Sequence, residues 1–204
     1  MRQIPYFSQW ETPDLTAKIL DQGVEVALRQ DPLWRSSGAS SIDEYTAWAW
    51  NICGMACLKM ILAARTGIIW PAMELAKRCA AYGGYVVEPE TTVIKGLIYA
   101  PFVEFVGKEF GLEATIVTGL VAETLPEQVK TSDFFVASVH SSIRSPNGHP
   151  PAKGGHLVLV TAVSDTNVVF HNPSGLDPET QINVKMDLAV FGRYFAGRGI
   201  AIHP

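Results

Sequence analysis

Cys53, His156 and Asn172 are the residues whose types and surroundings could do chemistry together. Cys53 opens the run Cys53-Gly54-Met55-Ala56-Cys57-Leu58-Lys59-Met60-Ile61-Leu62, His156 follows Gly154-Gly155 and precedes Leu157-Val158-Leu159-Val160, and Asn172 closes Val168-Val169-Phe170-His171. A thiol attacks a carbonyl only as thiolate, so it needs a neighbouring base, and an imidazole base needs a partner that fixes its tautomer. Cysteine, histidine and asparagine supply those roles for acyl transfer through a thioester. Cys53 also stands where a helix begins, and the positive end of a helix dipole favours a thiolate. Its reactivity is therefore expected below the ordinary thiol pKa of about 8.5.

Each residue has a plainer reading. Free cysteine is often a small buried hydrophobe, a lone histidine is often a satisfied structural residue, and Asn172-Pro173-Ser174-Gly175 is also a turn signal. His140, His149 and above all His171 compete for the histidine role. If the strand alternates, His171 and Asn172 face opposite sides and only one can point at His156. Cys57, one turn inside the same apolar run, and Cys79 are expected to be inert core thiols. Gln9 is a candidate oxyanion donor, because a carboxamide N–H would complement the backbone N–H of Cys53; its plainer reading is a polar residue ending an edge strand.

The elements that must position these residues change character along the chain. Residues 4–9 read as an edge strand with Pro5 near its start, while residues 10–50 carry weak signals, a helix capped by Asp14 and carrying Leu15, Ile19, Leu20, Val24 and Leu28, against which Gly23 counts, and a loop over Ser36–Ser41. A helix is expected from Cys53 to about Arg65, ended by Gly67, and a second from Pro71 to about Ala81. Residues 93–110 have helical spacing broken at Pro101. A strand over Ala114–Val117 and a short helix over Ala122–Lys130 come next. Phe134–Val139, His156–Val163 and Val168–His171 then read as short β-branched strands, followed by a helix over Asp187–Phe195 and a strand over Gly199–Ile202. The fold class is α+β, helices first and an antiparallel sheet second. The polar, Pro- and Gly-rich stretch from Ser141 to Gly155 is expected to be a loop beside the site.

Composition sets the bounds. The 204 residues fit a single domain over 1–204, long enough to bury roughly 70% of the surface its unfolded chain exposes. A net charge of -4 and a pI near 5.7, with no Lys/Arg cluster, argue against nucleic acid or an anionic membrane as partner. Met1-Arg2-Gln3-Ile4-Pro5-Tyr6 leads into the expected strand without a signal-peptide core, and no stretch reaches transmembrane length, so the chain as written is expected in the cytoplasm; an upstream leader would reverse that. Three cysteines cannot all pair internally, and Cys53 and Cys57 sit one helical turn apart, which fits a reducing compartment. No Cys-x-x-Cys or His-Glu-x-x-His occurs and the five histidines are scattered, so neither a metal nor an organic cofactor is expected.

Four motifs together resemble the C39-like cysteine peptidases of the papain-like superfamily: Ile4-Pro5-Tyr6-Phe7-Ser8-Gln9, Cys53-Gly54-Met55-Ala56-Cys57-Leu58-Lys59-Met60-Ile61, Gly155-His156-Leu157-Val158-Leu159-Val160-Thr161 and Val169-Phe170-His171-Asn172-Pro173. The resemblance implies a papain-like fold, with the nucleophile helix packed on an antiparallel sheet. It implies Cys53 as nucleophile, His156 as base, Asn172 as the orienting residue and Gln9 in the oxyanion hole. The family usually has Asp where Asn172 stands, and the segment between Gln9 and Cys53 is long, with Trp48 and Trp50 lining or covering the cleft mouth. The implied function is a cysteine peptidase or amidohydrolase acting on a peptide or small amide. A peptide-binding module without turnover, or an acyl or peptidyl transferase, would carry the same residues.

Overall fold

The computed structural model describes residues 4–88 and 93–204; Met1-Arg2-Gln3, expected to lead into the first strand without a signal-peptide core, lie outside them. Among the described residues three α-helices precede the helix that begins at Cys53, α1 (Leu15–Gln22), α2 (Val24–Leu28) and α3 (Ile42–Ala49). They pack around Trp10, Leu15, Ile19, Leu28 and Tyr45 as a separate small cluster. Its polar centre is the buried Asp31, whose carboxylate accepts from the backbone N–H of Glu11, Thr12 and Leu33 and from the Thr12 and Tyr45 hydroxyls. Most of this order was hidden in the sequence because short helices with little periodicity are fixed by tertiary contacts and by one buried carboxylate.

Next come α4 (Cys53–Thr66), α5 (Ala72–Ala81) and α6 (Tyr99–Phe110), then α7 (Leu125–Lys130), α8 (Pro178–Gln181) and α9 (Leu188–Tyr194). Gly67 ends α4 in the left-handed region at φ 74°, its N–H returning to Ala63 O. Every residue from Gly54 to Leu62 is buried, as a helix apolar on all sides requires. Met55, Leu58 and Ile61 each contribute about 2 kcal/mol by that burial. Lys59 is the exception in kind: its ammonium lies 3.7 Å from the Glu11 carboxylate and 4.8 Å from the centre of the Phe7 ring.

The strands β1 (Ala114–Thr118), β2 (Phe134–Val139), β3 (His156–Val163), β4 (Asn167–His171), β5 (Val184–Asp187) and β6 (Phe195–Ile202) form one antiparallel sheet in the order β1-β6-β2-β3-β4-β5. Alternation divides its faces. Phe134, Val136, Leu157, Leu159, Ile200 and Ile202 pack with α4, α5 and α6, whereas Phe135, Ala137, Val158, Val160 and Ala201 pack with Phe191 and Leu125 on the other side. The α+β fold, with the helix that begins at Cys53 packed on an antiparallel sheet, is as expected.

Two expected local features differ. Residues 4–9 form no strand, because Pro5 has no N–H for a ladder and the segment is tied down singly. Those ties are Gln9 N–H to Pro173 O, the Ser8 hydroxyl to the same carbonyl, the Tyr6 hydroxyl to Asn172 O, and His171 Nε2–H to Ile4 O. Pro101 does not break the helix of residues 99–110, since it falls in the first turn of α6, where no backbone N–H is required. Among the described residues no single helix is long and apolar enough to cross a membrane.

Candidate active site

Cys53 is the first residue of α4, and its place is set from in front. The α3–α4 turn over residues 50–52 is held by Gln9, whose Nε2 donates to Ala49 O and Trp50 O, both at 3.0 Å. Gly54 fits because a Cβ there would stand 2.7 Å from Leu97 Cδ2 and 3.1 Å from Leu157 Cδ1, so it admits side chains rather than another backbone.

His156 opens β3 after two glycines at φ 88° and 91°, values that favour glycine and let the chain turn sharply into the strand. The register places its partners. Leu159 pairs with His171 and Val160 with Phe170, so extending the same antiparallel line past the end of β4 brings Ser174 opposite His156 and Asn172 diagonally beside it. Asn172 Oδ1 lies 2.8 Å from His156 Nε2 and also accepts the Ser174 N–H at 3.2 Å. A backbone N–H needs an acceptor, which fixes the carboxamide orientation and makes Nε2 the protonated ring nitrogen. Nδ1 is then left as the basic nitrogen. The Ser174 hydroxyl, 3.2 Å from Nε2, accepts from Arg144 Nη2 at 2.8 Å.

His171 is occupied elsewhere. Its Nε2–H donates to Ile4 O at 3.1 Å and its Nδ1 accepts the Asn183 N–H at 3.0 Å, so it anchors the N-terminal segment to the end of the sheet. His140 caps the short 3-10 turn Ser141–Arg144. Cys57 is fully buried with its Sγ 3.8 Å from Leu157 O, and Cys79 is buried in α5.

Cys53 and His156 line one cavity of about 600 Å³, together with Gln9, Trp50, Tyr99, Ser138, Arg144 and Arg198. Trp50 stacks on Trp10 at 6.4 Å and stays partly exposed at the mouth, whereas Trp48 turns inward against Tyr85. Among the described residues the hydrogen bonds of the His156 ring run to Asn172 and Ser174, and Cys53 is not a partner in this arrangement.

The electrostatics differ from the expected pre-formed thiolate. Burial pushes the Cys53 thiol up to about 11, outweighing the backbone groups of Leu157, Gly54 and Cys53 that favour its anion. Burial likewise lowers the His156 ring to about 4; its bond to Asn172 opposes this and the nearby Arg144 and His140 add to it. The resting site therefore holds a neutral thiol and a neutral imidazole. The helix N-terminus is present, but its contribution is smaller than the cost of burying the charge.

Gln9 also behaves differently from the simple oxyanion-donor expectation. Both of its amide hydrogens are directed at backbone carbonyls, and its Oε1 is buried without a partner among the described residues, as is Asn172 Nδ2. Ser174 and Arg144 were not singled out from the sequence. Ser174 was hidden in a turn signature, and Arg144 lies in the 141–155 segment expected beside the site. Among the described residues no three His, Cys, Asp or Glu side chains converge as metal ligands.

The arrangement of elements has solved counterparts. The chain is similar to the peptidase domain of Streptococcus ComA, a bifunctional ABC transporter involved in quorum sensing, with a TM-score of 0.51 and 18% identity over 76% of this chain and 93% of that one. It is similar to a C39-like peptidase from Bacillus anthracis, with a TM-score of 0.54 and 17% identity over 76% and 89% of the two chains. A double-glycine motif protease from an AMS/PCAT transporter, solved with its leader peptide, gives 0.50 and 17% over 74% and 84%. No family model and no curated protein matches the chain. The chain shares the fold of these peptidase domains, the α+β architecture expected from the four motifs.

Proposed function

We propose that this protein is a cysteine peptidase or amidohydrolase that works through a thioester on Cys53. The observation that carries the reading is the His156 Nε2–H to Asn172 Oδ1 bond of 2.8 Å, which leaves Nδ1 basic on the cavity where Cys53 begins a buried helix. His156 Nδ1 takes the thiol proton as Cys53 Sγ attacks the substrate carbonyl carbon. The oxyanion is met by the Cys53 backbone N–H, with Gln9 Nε2 contributing when it releases one of its two carbonyls. The C–N bond then breaks, the imidazolium proton leaves with the amine, and a thioester remains. Water, deprotonated by His156, attacks the thioester and returns the thiol and a carboxylic acid.

With both groups neutral at rest, the proton moves during attack rather than before it. The likeness to domains that act on peptides supports a peptide substrate. The test is hydrolysis of a peptide mixture by the wild-type protein and by Cys53→Ala, with product masses read in water and with added amine. Loss of cleavage in the variant supports the reading, and an amide product with added amine would make the enzyme a transferase.

A second reading, a peptide-binding module without turnover, is favoured by one observation: among the described residues no hydrogen bond joins the Cys53 thiol to the His156 ring. Peptide binding without any cleavage would support it.

A further inference from the structure

The cavity is charged against the sign of the protein. The chain carries a net charge of -4, yet Arg144 and Arg198 both line the space shared by Cys53 and His156, and among the described residues none that lines it is Asp or Glu. Arg144 is only 7% exposed. Its Nε donates to Ser141 O at 2.9 Å and its Nη2 to the Ser174 hydroxyl at 2.8 Å, both neutral acceptors. No carboxylate pairs with it among the described residues, although Arg65 has one such partner and Arg29 and Arg78 have two each. Arg198 belongs to β6, which pairs with β2 through Ala137 and Gly199, and it lies beside Tyr99 and next to the register shift at Ser138.

A buried guanidinium without a counter-charge is costly, and its planar fork of donors matches a carboxylate better than any neutral group. Resting on the reading of the Cys53 site as the acyl-transfer centre, we infer that the cleft selects substrates carrying a carboxylate, which binds between Arg144 and Arg198 beside the scissile bond. The carboxylate is either an acidic side chain or the terminal carboxyl of a short peptide. Binding there also offsets the Arg144 charge that disfavours the His156 imidazolium, so a carboxylated substrate gains in turnover as well as in affinity.

The test separates binding from turnover. Four peptides are titrated calorimetrically into the full-length Cys53→Ala protein: Ac-Ala-Ala-Glu-Ala-Ala-amide and its Gln counterpart, and Ac-Ala-Ala-Ala with a free or an amidated C-terminus. One charged peptide should bind about 10- to 100-fold more tightly than its neutral partner, the gain of a charge-assisted pair. Adding Arg198→Gln should reduce that preference to within about threefold. Preference for Glu assigns the side-chain source, and preference for the free acid the terminal one. Equal binding of charged and neutral partners, a preference that survives Arg198→Gln, or no binding of either charged peptide at about 1 mM would overturn the inference. The same peptides given to the wild-type protein keep the two readings apart: a carboxylate preference without cleavage removes the hydrolase and leaves the anion site standing.

Discussion

Mild acid should destabilise the folded protein through His156 itself. The ring is 5% exposed, and burial lowers its pKa from 6.5 to about 4. Between those values the unfolded chain binds a proton that the folded chain refuses. The ring's contribution is therefore fully present above pH 6.5 and is lost as the pH falls toward 4, at about 1.4 kcal/mol per pH unit. The total is about 3 kcal/mol, a large part of the stability of a domain this size. His156→Gln provides the control, because its carboxamide can still donate to Asn172 Oδ1 but does not titrate. Urea unfolding of both proteins from about pH 7.5 to about pH 4.5 should show the wild type losing about 2–3 kcal/mol more than the variant. Every carboxylate, and His171 with its own burial-lowered pKa, titrates in both proteins and cancels. Parallel pH dependences would refute the neutral, buried imidazole and the resting state built on it.

Asn172→Ala should lower turnover severely while leaving Cys53 alkylation intact, whereas His171→Ala should keep turnover but cost about 1–3 kcal/mol by stripping Ile4 O and the Asn183 N–H of their partner, as chemical denaturation would read. Cys57→Ala should retain activity and lose on the order of 1 kcal/mol of stability in the same assay. Lys59→Met should cost about 3 kcal/mol by leaving the Glu11 carboxylate buried and unpaired, and adding Glu11→Leu should recover most of it. Alkylation of resting Cys53 by iodoacetamide should rise toward alkaline pH without an acidic plateau, because burial raises the thiol pKa; a rate already maximal near about pH 6 would show a thiolate instead.

The residues that meet at the site were legible because each ends or begins an element with a strong pattern. Cys53 opens a helix buried from Gly54 to Leu62, His156 opens an eight-residue strand after two glycines, and Asn172 follows a strand whose alternation separates it from His171. Helix and strand periodicity carried most of the fold behind them. What stayed hidden depends on contacts between distant segments. The helices between Gln9 and Cys53 rest on Asp31, and residues 4–9 are held by single bonds to residues 171–173, which no local pattern records. The charge state of the pair was also out of reach, since a helix N-terminus is visible in sequence and the depth of burial that overrides it is not. Arg144 illustrates the same limit. Its segment could be placed beside the site, but its orientation toward Ser174 follows from the turn after β2.

The most direct test of Cys53 as an acyl acceptor activated by His156 requires no knowledge of the natural substrate. The protein is mixed with p-nitrophenyl acetate, quenched in acid within the burst, digested and mapped by mass. The account predicts acetyl on Cys53, none on Cys57 or Cys79, and loss of the burst in His156→Ala with the fold retained. Acetylation spread over other residues, or a Cys53 adduct formed equally fast without His156, would contradict it.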